Sequence, residues 1–231
     1  MNKRNLTCLA CVLISGLILS TPSRAALLGL DALSSNPDLF SPNLTVTVAY
    51  NASNGLFTAT GETSAYTAAN TNLNNGDPYI VGNSNDNFNP GTFSLTATIT
   101  TNGSLLSGTV TITGGVYDDS LAQVEPDGTL LLQGNITAFG FQGNASPNVD
   151  EFDFLVVVTG GAFAGQYGSS AGVLLHPGDT TFNGSFGVNF SNDGFGKADT
   201  RAVPEPTPEL LVMLSAFGLC WFVRRAPQRK C

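Results

Sequence analysis

The sequence predicts an all-β body, an antiparallel β-sandwich or jelly roll, between two short apolar segments at the ends of the chain. Apolar residues in the body recur at every second position, which is typical of strands that bury one face. Turn-forming pairs that contain glycine separate these stretches. Helical periodicity is confined to two short candidates, residues 31–34 and 162–167. Many short strands with frequent turns favour a sandwich over other all-β architectures.

The individual strands follow from this alternation. It predicts strands within residues 44–50, 93–99, 110–112 and 182–190. The stretch 152–158 differs, because it runs Phe-Leu-Val-Val-Val without a polar break after Asp153. An unbroken apolar run predicts a central strand that is covered on both faces.

Three glycine-containing pairs predict the connections between strands. They are Asn54-Gly55, Asn102-Gly103 and Asp127-Gly128. Each pair accepts the positive φ angles that a tight hairpin turn requires. We therefore expect one hairpin at each pair.

Charge and cysteine are unevenly distributed along the 231 residues. All four cysteines lie near the ends, at Cys8, Cys11, Cys220 and Cys231. The body, residues 26–203, has 15 acidic and two basic residues, a net charge of −13. This charge excludes a nucleic-acid binder, since phosphates require a cationic surface. A body of this size can fold without disulfides.

Residues 1–25 have the pattern of a secretory signal peptide. A basic start precedes an apolar stretch over 6–19 and a small-x-small exit. Ser23 and Ala25 fit the −3 and −1 positions, so signal peptidase is expected to cut between Ala25 and Ala26. An uncleaved N-terminal anchor helix is the alternative.

Residues 204–231 contain three parts in order. Pro204-Glu205-Pro206 opens a proline-stiffened stretch that favours extended backbone. An apolar segment follows at 210–223, which as a helix is about 21 Å long, short of the ~30 Å hydrocarbon core. A basic tail ends the chain and is expected to stay cytoplasmic, with Arg224, Arg225, Arg229 and Lys230. The segment thus suits a transient contact with the membrane.

This tail resembles the PEP-CTERM sorting signal of Gram-negative bacteria, in its tripeptide, apolar helix and terminal arginine cluster. The resemblance implies processing near the motif by an exosortase, an integral-membrane transpeptidase-like enzyme. It also implies association with exopolysaccharide and biofilm matrix, at the cell surface or outside the cell. A GPI signal usually lacks the basic tail, and a sortase signal would contain Leu-Pro-x-Thr-Gly. A plain C-terminal membrane anchor remains an alternative.

The body offers few candidates for catalysis. His176 is the one histidine and precedes Pro-Gly, which is typical of a loop. No Gly-x-Ser-x-Gly elbow accompanies it. Neighbouring carboxylates are the pattern that glycosidases use, although such groups are usually just solvated. They occur at Asp118-Asp119 and at Asp150-Glu151 with Asp153.

A calcium site is a further alternative, in a stretch rich in side-chain oxygens. Calcium binds six to eight oxygen ligands. The EF-hand glycine is replaced by Phe88, and Ser94 stands where the glutamate belongs. The candidate ligands are Asp77, Asn83, Asn85, Asp86 and Asn87.

We expect an exported surface or matrix protein with a structural or adhesive role, without catalytic residues, cofactor or dedicated metal site. Extracellular polysaccharide is its expected partner. The first alternative is a carbohydrate- or calcium-dependent binding module. The second is a secreted hydrolase of unrecognised type.

Overall fold

The computed structural model describes residues 26–30, 36–41, 46–70, 77–82, 90–146, 149–192 and 194–204. These residues form twelve strands and one short helix, and every strand pairing is antiparallel, which confirms the all-β prediction. The elements are β1 Asp38–Phe40, β2 Thr47–Asn51, β3 Leu56–Thr63, β4 Ala65–Thr67, β5 Tyr79–Gly82, β6 Gly91–Ile99, β7 Leu105–Tyr117, β8 Gln123–Ser146, β9 Val149–Gly160, α1 Ala164–Tyr167, β10 Ser170–Pro177, β11 Phe190–Ser191 and β12 Gly196–Ala202.

The strands form one curled sheet in the order β11-β2-β3-β6-β7-β8-β9-β10-β12, with a branch from β7 through β5 and β4 to β1. The curl brings the inner faces of distant strands together. Phe57 of β3 lies 5.4 Å from Phe152 and 5.5 Å from Phe154 of β9, between ring centroids. Three strands separate β3 from β9 in the sheet order, so the sheet bends around its own core as a half-barrel.

Polar bonds join the branch to the far end of the sheet. Ser41 N–H donates to Ala198 O, and Leu39 N–H donates to Thr200 Oγ1 at 2.8 Å. Thr200 N–H in turn donates to Asp38 Oδ1 at 2.8 Å. We call this contact between residues 38–41 and 198–200 the β1–β12 seam. It closes a ring of strands through β7, β8, β9, β10, β12, β1, β4 and β5.

Aromatic side chains fill the inside of the curl. Tyr50 stacks on Phe190 at 5.2 Å, and Phe152 stacks on Phe190 at 5.9 Å. Phe186 lies edge-on to Phe139 at 5.7 Å. Offset and edge-to-face pairs each add stabilisation beyond the burial of apolar area. The core is therefore continuous from β2 to β9.

Several sequence predictions agree with the strands. Residues 93–99 lie in β6 and 110–112 in β7. Of the predicted strand 44–50, residues 47–50 lie in β2, and residues 44 and 45 lie outside the described part of the chain.

Residues 152–158 lie in β9, between β8 and β10, as expected of a central strand. The expectation that both faces are covered is wrong at Val157, which is 43% exposed, because the segment 26–30 covers the outer face at Asp153 but not at Val157. The short helix appears at the end of 162–167, whereas 31–34 lies outside the described residues. Among the described residues, no helix is long and apolar enough to cross a membrane.

The predicted strand at 182–190 is wrong. Only Phe190 belongs to a strand, and the preceding residues form turns, with Gly184 at φ +84°. Phe182 and Phe186 are nevertheless buried in the core. The two phenylalanines anchor an irregular segment to the core. Such anchoring does not need the backbone hydrogen bonds of a strand.

The predicted hairpin at Asp127-Gly128 is also wrong. Both residues lie inside β8, where the register with β7 shifts. Gly128 has a φ of +75°. A β-bulge with glycine uses such a positive φ, just as a tight hairpin turn does. The chain instead reverses between β7 and β8 at residues 118–122, where Asp118 Oδ1 accepts the N–H of Ala122 at 2.8 Å. The pairs at Gly55 and Gly103 do form turns, as predicted.

Candidate functional site

Hydroxyl side chains form cross-strand rows on the outer face of the sheet. The register pairs Thr58 of β3 with Thr96 of β6, Thr96 with Thr109 of β7, and Thr109 with Asn135 of β8. Since residues opposite one another project to the same face, their side chains form one row. Parallel rows contain Thr98 with Ser107, and Thr60 with Ser94, Thr111 and Gln133.

An open groove lies where the row of Thr96 and Thr109 runs beside the row of Thr98 and Ser107, near the turn that joins β6 to β7. It has a volume of about 460 Å³, within the range of ligand sites. Apolar groups also line it: Ile136 belongs to the core, and Leu106 is 67% exposed. We call it the hydroxyl groove, after its polar lining residues Thr96, Thr98, Ser107, Thr109 and Asn135.

Gly108 shapes the floor of the hydroxyl groove. A Cβ at this position would lie 2.7 Å from Ile136 Cδ1 and 2.9 Å from the backbone oxygen of Thr96. Real Cβ atoms do not approach so closely, so any side chain there would displace the floor.

A second part of the outer face, over β8–β10, is covered by the first described residues, 26–30, which we call the N-terminal segment. Leu28 N–H donates to Asp153 Oδ2 at 3.1 Å. A Cβ on Gly140 would lie 2.6 Å from Ala26 O, and a Cβ on Gly172 would lie 3.1 Å from Leu30 Cδ1. Glycines in β8 and β10 thus allow the segment to lie directly on the strands, which buries the Asp153 carboxylate.

The carboxylates predicted at β9 do not converge on one site. Strand alternation places Asp150 on the face opposite to Glu151 and Asp153. Asp150 is 5% exposed and accepts the Thr180 hydroxyl. His176 lies near the end of β10, not in a loop, and its Nε2 is 3.7 Å from Glu151 Oε1. That contact is an ion pair only when the imidazole is protonated.

Asp118 and Asp119 lie in the turn between β7 and β8. The Asp118 carboxylate accepts the Ser120 hydroxyl at 2.7 Å and the N–H groups of Ala122 and Ser120. These hydrogen bonds hold the pKa of Asp118 below its usual value, and the bond from the Ser120 hydroxyl has the largest effect. Its carboxylate therefore stabilises the turn.

The pKa of Asp38, at the β1–β12 seam, is shifted in the opposite direction. Burial raises the pKa of its carboxyl from 3.8 to about 7. The Thr200 N–H and Arg201 oppose this shift, whereas Asp199 adds to it. Tyr167 completes the seam, since its hydroxyl lies 2.6 Å from Thr200 Oγ1.

The residues of the two predicted processing signals lie mostly outside the described part of the chain. Ala26 and Pro204 are described, and both are exposed. Outside it lie Ser23, Ala25, Glu205, Pro206, the segment 210–223 and the basic residues Arg224, Arg225, Arg229 and Lys230.

Of the calcium candidates, Asp77 is described and exposed. Asn83, Asn85, Asp86 and Asn87 lie outside the described residues. Within the ranges that the structure describes, no three His, Cys, Asp or Glu residues are grouped closely enough to hold a metal ion.

Sequence reasoning did not find the hydroxyl groove. The alternation in 93–99 correctly marked Thr96 and Thr98 as outward-facing, but the residues opposite them depend on register. Comparison of the chain with protein-family models, with characterised proteins and with solved structures found no match.

Proposed function

We propose that this chain is exported and processed by signal peptidase and an exosortase, and that it serves in the cell-surface layer or extracellular matrix as a structural or adhesive protein. The observation that carries the proposal is the three-part C-terminal sequence: the Pro204-Glu205-Pro206 tripeptide, the apolar segment 210–223 and the basic tail. Its combination with a signal peptide at 1–25 indicates passage through the inner membrane.

The body of the molecule suits such a pathway. Its sheet ends where the tripeptide begins, because Val203 N–H still donates to Ser170 O and Pro204 is exposed. A processing enzyme can therefore reach Pro204, the first residue of the tripeptide, without unfolding β12. The body contains no cysteine, so oxidation outside the cell cannot mispair it.

We also propose that the curled sheet corresponds to a β-sandwich or jelly roll. The contacts of Phe57 with Phe152 and Phe154 support this, since they pack the inner face of β3 on that of β9. Such face-to-face packing is the defining feature of sandwiches.

The tripeptide can be tested directly in a bacterium that carries an exosortase. Replacing Pro204, Glu205 and Pro206 together by alanine should leave a longer, membrane-retained form, detected by cell fractionation and immunoblotting. Pro208→Ala is the matched control, because it removes a neighbouring proline outside the tripeptide. Normal processing of the triple variant would contradict the proposal.

A further inference from the structure

We infer that the hydroxyl groove binds an uncharged polysaccharide chain. The inference deepens the proposed matrix role and rests on it for the setting in which the protein meets such a polymer. The site itself is argued from the groove's hydrogen-bonding groups, charge and shape.

The hydroxyls of the groove have unused hydrogen-bonding capacity. Elsewhere on the outer face, Thr92 Oγ1 bonds Thr113 Oγ1 at 2.7 Å, and the Thr137 hydroxyl donates to Leu155 O at 3.3 Å. In the groove, by contrast, the side chains make no hydrogen bond to any described residue, although Thr96 and Thr109 are direct cross-strand partners. Each hydroxyl can donate one bond and accept two, which matches the hydroxyls of a sugar.

The charge of the protein favours an uncharged polymer over an anionic one. The groove has no charged lining residue, and the nearest charge in the rows of β3, β6 and β7 is Glu62, which pairs with Thr92 at the other end. The body as a whole carries −13. Its field repels anionic polymers, whereas an uncharged polyol approaches without that cost.

The shape of the groove suits a chain better than an isolated small molecule. The groove is open to solvent, so it does not enclose a small molecule. Leu106, which is 67% exposed, supplies apolar surface beside the hydroxyls. Sugars have both kinds of surface, because their rings carry C–H faces between hydroxyl edges. Sites of this type combine apolar lining with a few placed polar groups.

The test uses the purified full chain in native gels that contain dextran, galactomannan or hydroxyethyl cellulose, with alginate as the anionic comparison. We expect at least one neutral polymer to retard the protein and alginate not to. Thr96→Val with Thr109→Val keeps the shape of both side chains and removes two hydroxyls, and should weaken retention about tenfold.

Thr92→Val with Thr113→Val is the matched control, because it makes the same change on the same two strands outside the groove. We expect it to bind as the unmodified chain does. Thermal unfolding of both double variants reports whether they fold alike. No retardation by any neutral polymer, equal retardation by alginate, or equal loss in both double variants would each overturn the inference. The measurement uses purified protein, so its result is independent of whether the chain is processed in cells.

Discussion

Replacing Asp38 by asparagine should remove a pH dependence of stability that originates at the β1–β12 seam. The carboxyl has a pKa of about 7 in the folded chain, against 3.8 for its ordinary value. Asparagine keeps an oxygen for the Thr200 N–H and cannot ionise. The change therefore isolates the cost of holding a charge at a buried site.

The sign and size follow from proton linkage. Between about pH 4 and pH 7 the unfolded chain releases the Asp38 proton while the folded chain retains it, so the free energy of unfolding falls as pH rises. The loss is absent below this window and complete above it. A difference of about three pKa units corresponds to about 4 kcal/mol.

Urea unfolding followed by circular dichroism across this pH range is the assay. The stability of Asp38→Asn relative to the unmodified chain should rise with pH by about 4 kcal/mol and then level off. Asp119→Asn is the matched control, since Asp119 is exposed in the β7–β8 turn. A difference between Asp38→Asn and the unmodified chain that stays constant with pH would refute the assignment of a buried, protonated carboxyl.

Two further substitutions test packing. Gly140→Val places a Cβ 2.6 Å from Ala26 O and should cost about 1–3 kcal/mol in urea unfolding, with faster hydrogen exchange in the N-terminal segment. Gly160→Val, where a Cβ meets open space, should cost little, and equal costs would contradict the account. Phe186→Ala should cost about 3–5 kcal/mol although it lies outside the strands, because its ring is buried in the aromatic core. Val188→Ala, at a side chain that is 48% exposed, is its control, and a small loss for Phe186→Ala would show that this segment does not anchor the core.

The sequence was informative where local pattern alone decides the structure. Alternating Phe, Leu and Ile with Thr and Ser in 93–99 predicted β6 and also its polar outer face. The unbroken run in 152–158 predicted a central strand, which β9 is. In both cases the strand's own residues predict that it is a strand, but the outer face of β9 is exposed at Val157, because its burial depends on other parts of the chain.

The errors arose where one pattern is compatible with two structures. Gly128 has the positive φ that suits a hairpin, yet it lies in a bulge of β8. Phe182 and Phe186 are buried as an alternating strand would bury them, yet turns carry them into the core. Burial and backbone hydrogen bonding are separate properties, and hydrophobic pattern reports only the first.

The candidate groove depends on long-range information. Thr96, Thr109 and Asn135 come from three strands, and only the register places them side by side. The burial of Asp153 by the N-terminal segment is equally non-local, since its hydrogen bond joins residue 28 to residue 153. Nothing in the stretches around these residues specifies their partners.

The most direct test of the central claim is the intact mass of the protein, measured in cells that carry the exosortase and in cells that lack it. The account predicts a form that begins at Ala26 and ends near Pro204 in the first, and a longer, membrane-retained form in the second. Material from exosortase-containing cells that still ends at Cys231 would contradict it.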